Sequence, residues 1–401
     1  MNITISRRLD KINPSPTLAL TAKVKALKSQ GEDIAGFAAG EPDFDTPDAI
    51  KEACISALKS GFTKYTPTGG IPELKSAICQ WLKKKRRLEY QPEQVLVCCG
   101  AKHALYNLFQ TLLEDGEEVL IPIPYWATYK DQVALAGGIP IAITTGIDKN
   151  FKLNVNDLER AVSPKTKILL LNSPSNPSGA VYGNPDLQEL AEFAVKYNLL
   201  VVSDEIYSEI VYDNFKQESI ASIGPEVAQR TFVVDGVYKT FAMTGFRIGY
   251  ILGNPRIIKG MNMIQDQSTS NPTSFAQKAA LKALTLDEDV ITPMVSKFKE
   301  RRDLIFGEME KIKGIKSYKP KGAFYLFPDI RHFLNYKSPK GVFIGSSSKL
   351  AEVLLEEAKV ACVPGEAFGM PGFLRVSFAT TKEEILKGTR RLQAFFGSLT
   401  T

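Results

Sequence analysis

Leu199-Leu200-Val201-Val202-Ser203-Asp204-Glu205-Ile206-Tyr207 runs from an unbroken apolar segment into a carboxylate. Its apolar residues are consecutive rather than alternating, which is the pattern of a strand buried on both faces. Comparable runs lie on either side: Val95–Cys99, Glu118–Ile123, Ile139–Thr144, Lys167–Asn172, Thr231–Asp235 and Ile248–Gly253. Helix-period stretches fall between them at Lys102–Leu113, Ala127–Ala136 and Asp186–Tyr197. Strands alternating with helices predict an α/β fold, a mostly parallel sheet flanked by helices. Ligands of such sheets sit beyond the carboxyl ends of the strands. Asp204 stands at one of those ends.

The pattern changes near residue 285. Asp287–Lys313 reads as one long charged helix. Candidate strands follow at Ala323–Pro328, Val360–Pro364 and Phe373–Ala379, with helices at Leu350–Lys359 and Lys382–Phe396. The expected organisation is a large domain over 46–285 and a smaller α+β domain over 286–401. Residues 1–45 read as a polar arm, with turn signals at Asn13-Pro14, Pro16, Gly40 and Pro42, packing with the small domain. A chain of 401 residues, 44% hydrophobic, has material for two cores, and single cores rarely exceed about 250–300 residues. No internal repeat or low-complexity segment interrupts it.

Composition narrows the function classes. Lys plus Arg number 50 against 44 Asp plus Glu, a net charge of +6. That is mild for this length and does not by itself argue for nucleic acid, which requires clustered charge; no nucleic-acid partner is expected. The dense basic run Lys83-Lys84-Lys85-Arg86-Arg87 reads as the solvated C-terminus of a helix, where cations complement the dipole. The five cysteines have no zinc-site spacing and no disulfide framework, which fits a reducing cytoplasm. No signal-peptide core and no membrane-length apolar run is present.

Five features fall at strand ends, each with an ordinary alternative. Gly100-Ala101-Lys102 opens a helix and is either a tight turn or an anion cradle. Asn172-Ser173-Pro174-Ser175-Asn176-Pro177-Ser178-Gly179 is a rigid loop with an amide at its centre. Asp204 either caps a helix or holds a cation, and Tyr207 lies about one helical turn on. Lys239 sits in the apolar, glycine-punctuated segment Asp235–Gly249, where desolvation lowers an amine's pKa as a Schiff-base lysine requires. Arg247 follows between Gly245 and Gly249, which allow close ligand approach. Arg375, in Leu374-Arg375-Val376-Ser377-Phe378-Ala379, is either an ion-paired strand residue or a planar fork for a carboxylate.

In this order the five features resemble the class I/II aminotransferases of the fold-type I pyridoxal-phosphate enzymes. The likeness runs from Ala39-Gly40-Glu41-Pro42-Asp43-Phe44-Asp45-Thr46-Pro47 to Arg375 and is strongest to bacterial-type aspartate aminotransferases. The resemblance implies pyridoxal 5′-phosphate as cofactor and Lys239 as the lysine that holds it and moves the substrate proton. It implies that Asp204 pairs with the ring nitrogen, that Tyr207 and Asn176 bond the ring oxygen, and that Trp126 stacks on the ring. Gly100, Ala101, Lys102 and Arg247 would hold the phosphate. Tyr65 would reach the phosphate of a second subunit, implying a homodimer with shared sites. Arg375 would clamp the substrate α-carboxylate, with Asn176 and the backbone of Gly40. Lys102 and Thr17 would meet a side-chain carboxylate, favouring aspartate or glutamate with 2-oxoglutarate as partner in a ping-pong exchange.

One departure stands out. The residue before the cofactor lysine is commonly small, often Ser, in that subgroup, and here it is Tyr238. A lost hydroxyl removes one hydrogen bond, ~0.5–1.5 kcal/mol. Prephenate, aromatic or alanine transamination, a β-lyase and a cyclopropane-carboxylate synthase share the scaffold, because fold does not fix reaction. A cofactor-binding regulator is the alternative from another class. Such proteins usually carry an added DNA-binding domain, and no helix-turn-helix fits this chain.

Overall fold

The computed structural model describes residues 3–14 and 16–401, so Met1, Asn2 and Ser15 of the arm lie outside it, as does the side chain of Glu288. Seven strands form the central sheet in the spatial order Val95–Cys98, Gly249–Leu252, Thr231–Gly236, Leu200–Asp204, Thr166–Asn172, Glu118–Ile123, Ile139–Thr144. Gly249–Leu252 runs antiparallel to both neighbours, and every other pairing is parallel. Along Thr166–Asn172, Ile168 and Leu170 join one apolar cluster and Leu169 and Leu171 the other. The unbroken apolar runs therefore serve two cores, one on each face. Ile139–Thr144 is the exception. It is one edge of the sheet and is partly exposed except at Ile143, with Pro140 where an edge tolerates a missing donor.

The helices sit close to their expected places, at Ala101–Leu112, Thr128–Leu135 and Asn184–Lys196. The last starts two residues early because Pro185 suits a first turn and the Asp186 carboxylate accepts from the Gly183 N–H at 2.8 Å. The long charged helix is shorter than expected, Thr292–Glu310, after a separate turn at Glu288–Val290. Pro293 explains the break, since proline is accommodated in a first turn but not in a helix interior.

A second sheet orders Val363–Pro364, Leu374–Ser377 and Tyr325–Leu326, antiparallel throughout. The arm is not only polar coil. Pro16–Ser29 is helical, and Val24 with Ile34 packs on Leu355 and Ala361. Ala35–Gly36 then pairs in parallel with Val360–Ala361, while Arg7–Lys11 lies against the helix Thr128–Leu135. Among the described residues no helix is long and apolar enough to cross a membrane.

The basic run is a correction. Lys83, Lys84 and Arg87 are solvent-facing, but Arg86 is buried at 6% exposure. Its guanidinium donates to Glu205 at 2.6 Å and to Asp235 at 2.5 Å, and also to the Ser208 hydroxyl. Glu205 accepts further from the hydroxyls of Ser203 and Ser219. Reading charge alone missed this because both carboxylates come from strand ends far along the chain. Arg86→Ala leaves two buried carboxylates without their cation, and a loss of about 3–5 kcal/mol is expected in urea denaturation. A loss below about 1 kcal/mol would mean that water solvates the cluster.

Candidate active site

The carboxyl ends of adjacent strands set the geometry. Asn172 and Asp204 are register partners, and Asp204 in turn pairs with Val234, five residues before Lys239. Each side chain is thus delivered to one edge by a strand that the apolar cores fix in place. The edge opens into a cavity of about 390 Å³. Asn176, Asp204, Tyr207, Lys239 and Arg375 line it together with Gly40 and Trp126. Thr17, Lys102 and Arg247 line it as well.

Asp204 is buried, and its carboxylate accepts from the Tyr129 hydroxyl at 2.7 Å and the Ile206 N–H at 3.2 Å. Burial pushes its pKa up to about 6 against those two donors. Lys239 donates to the carbonyl oxygen of Gly40. Burial is the main cause that lowers the amine to about 7, opposed by the Glu41 carboxylate and reinforced by Arg375 and Arg247. Near neutral pH a substantial fraction is therefore the free base.

Arg375 comes from the second sheet and is 2% exposed. Its guanidinium donates to the Asn176 side-chain oxygen at 3.1 Å and the Ala38 carbonyl at 2.9 Å, while Nε has no partner among the described residues. It lies 4.6 Å from the Tyr325 ring centre and 5.0 Å from that of Phe368. A buried cation held by neutral acceptors and ring faces is arranged for an incoming anion.

Gly100 and Ala101 do not line the cavity but sit behind Arg247. Gly100 has φ +91°, and a Cβ there would lie 2.7 Å from Arg247 Nη2. A Cβ at Gly249 would lie 2.3 Å from the Ala101 amide nitrogen. That glycine serves close backbone packing of the Gly100 turn, not ligand approach as the sequence suggested. Antiparallel pairing of Cys98 with Gly249 brings the helix N-terminus at Ala101 beside Arg247, a concentration of positive potential. Lys102 Nζ stands 4.9 Å over the Trp126 ring, and burial lowers its pKa. Tyr65 is not brought to this cavity and is 91% exposed.

Some lining residues carried no readable signal. Tyr325 bonds the Tyr207 hydroxyl at 3.0 Å and stacks on Arg375, yet lies 118 positions from Tyr207 along the chain. Tyr129 follows Trp126 by one helical turn, and that spacing could have drawn attention to it. Asn172 accepts the Asn176 N–H at 2.8 Å and donates to the Asp204 carbonyl at 3.0 Å, a bridge that appears only in the fold. Tyr238 is half-buried against the cavity, with its ring 5.5 Å from Lys239 Nζ and 5.9 Å from the Arg247 guanidinium.

The carboxyl edge of a mostly parallel sheet thus presents a lysine and a buried carboxylate, and the second sheet brings a buried arginine to them, the layout of an α/β protein with a lysine at the centre of its site. The family model of the class I and II aminotransferases matches residues 32–392, and the chain belongs to that family. A probable aspartate/prephenate aminotransferase of Rickettsia felis is 47% identical over 98% of this chain and 97% of its own. Among solved structures, the aspartate aminotransferase of Rhizobium meliloti superposes with TM-score 0.96 at 38% identity, covering 100% of both chains. That of Thermus thermophilus with maleate gives 0.91 at 39% identity, over 98% of this chain and 100% of that one.

Proposed function

We propose that the chain uses pyridoxal 5′-phosphate to move an amino group from aspartate, or a similar amino acid, to 2-oxoglutarate in two half-reactions. The observation that carries this reading is one cavity holding a lysine amine lowered to about 7, a buried carboxylate and a buried arginine without a carboxylate partner among the described residues.

The residues present fit the cofactor. Asp204, raised to about 6 by burial, has room for a further donor, and a protonated ring nitrogen would relieve its desolvation. The amides at Gly100 and Ala101, the start of the Lys102 helix and Arg247 would hold the phosphate. Trp126 would cover a ring face, and Asn176 and Tyr207 would bond the ring oxygen. Bound there, the cofactor supplies an electron sink for the pair left on the substrate Cα. Arg375 grips the α-carboxylate with Asn176 and the Gly40 backbone, fixing which Cα bond faces Lys239. Lys239 as free base then takes the Cα proton. Lys102 and Thr17 hold the distal carboxylate, which selects dicarboxylic substrates.

The chain divides at about residues 45 and 285, and closure of the Arg375 domain on substrate excludes water. Five free cysteines suit a cytoplasmic enzyme. Prephenate as an alternative acceptor is favoured by the Rickettsia relative's name and by an aromatic face beside the Lys102 cation.

The test is the visible absorbance of protein loaded with pyridoxal phosphate. Aspartate should shift the band and 2-oxoglutarate or prephenate should return it. A band indifferent to aspartate would refute the acidic-donor reading. The exposed Tyr65 supports a homodimer with shared sites. Equimolar mixing of Tyr65→Phe and Lys239→Ala subunits should then restore about a quarter of the activity of the unsubstituted dimer, since half the dimers are hybrid and each hybrid has one intact site. No recovery, with subunit exchange demonstrated, would refute sharing.

A further inference from the structure

The loop from Gly40 to Thr46 touches the lysine-bearing segment at three points. The Gly40 carbonyl accepts from the Lys239 amine, Glu41 accepts from the Thr244 hydroxyl at 2.6 Å, and Thr46 donates to the Ala242 carbonyl at 2.7 Å. The loop is anchored behind by Arg301, which pairs with Asp43 at 2.6 Å and lies 4.7 Å from the Phe44 ring. Two residues before the loop, the Ala38 carbonyl accepts from Arg375. Glu41 is exposed, lines the same cavity as Lys239, and is an acidic group at the mouth of a site otherwise rich in cations.

We propose that Glu41 is a positioning residue for Lys239: bonded to Thr244, it fixes the loop whose carbonyl holds the amine and keeps a counter-charge beside it. This rests on the reading of Lys239 as the cofactor-bearing amine. The groups facing that amine are Glu41 from the loop, Asp204 and Tyr207 from the strand end, Tyr238 and Arg247 from its own segment, and Arg375 and Tyr325 from the second sheet. Two of these are cations, and Glu41 offsets them. A carboxylate favours the protonated state of the lysine nitrogen, so its removal lowers the nitrogen's pKa.

The experiment titrates the visible band of the pyridoxal-phosphate-loaded enzyme against pH for the unsubstituted chain, Glu41→Gln and Glu41→Asp. In Glu41→Gln the midpoint should fall by about half a pH unit, about threefold in proton affinity, and the difference should shrink in high salt. Glu41→Asp keeps the charge and should recover at least half of the shift. A Glu41→Gln midpoint equal to that of the unsubstituted enzyme overturns the proposal, even if melting temperature or turnover changes. The same comparison on cofactor-free protein follows the pH dependence of Lys239 acetylation by acetic anhydride, read by peptide mass spectrometry. If the unsubstituted chain forms no band, the cofactor reading fails, and the acetylation midpoints alone decide the role of Glu41.

Discussion

Lys239→Ala should abolish the visible absorbance of loaded protein and cut turnover by at least about 10⁴-fold. The size follows from two roles on one nitrogen. On the proposed reading the amine is the covalent attachment point, and as free base it is the group placed to take the substrate proton. Its free-base fraction near neutrality comes from burial, which lowers it from 10.5 to about 7. Substantial residual transamination would refute the assignment. The same shift has a stability consequence in the cofactor-free chain. A lysine depressed in the fold binds fewer protons there than when unfolded, over the window from about 7 to 10.5. Stability therefore rises with pH across that window, and the amine's cost is greatest below it. Lys239→Met should raise the melting temperature of cofactor-free protein more at low pH than at high pH. An equal gain at both ends would mean that the amine is not desolvated.

Arg375→Ala should lower kcat/KM for aspartate by about 30- to 5,000-fold, the range of about 2–5 kcal/mol for truncating one side of a buried charge pair. The cofactor's absorbance should persist, because the Arg375 guanidinium meets Asn176 and Ala38 rather than the Gly100 turn or Asp204. Arg375→Lys should recover little, since an ammonium cannot present two parallel donors to a carboxylate. Loss of the cofactor band in Arg375→Ala would place this arginine at the cofactor instead of the substrate.

How far the chain is legible without its fold depends on distance along it. The seven strands, their mostly parallel arrangement and the edge where chemistry gathers followed from consecutive apolar runs alternating with helices, because burial on two faces leaves no polar alternation. Lys239, Asp204 and Arg375 stood out as polar residues in apolar surroundings and Asn176 as the amide at the centre of a proline-framed loop, and the cavity gathers all four. Arg86 was read as surface because local composition shows a basic run. Its carboxylate partners, Glu205 and Asp235, arrive from strands more than a hundred residues on. Gly249 was read as making room for a ligand, whereas it makes room for the backbone at Gly100 and Ala101.

The sequence by itself therefore determined the layered sheet, its carboxyl edge and the chemical types waiting there, since periodicity and burial are local in sequence. The tertiary structure alone decided which of those groups meet. Arg375 reaches Asn176 across 199 positions, and Lys239 reaches the Gly40 carbonyl across 199. Desolvation of Lys239 and Asp204 arises from the same assembly of distant segments, so their shifted ionisation belongs to the fold and not to any stretch of the chain.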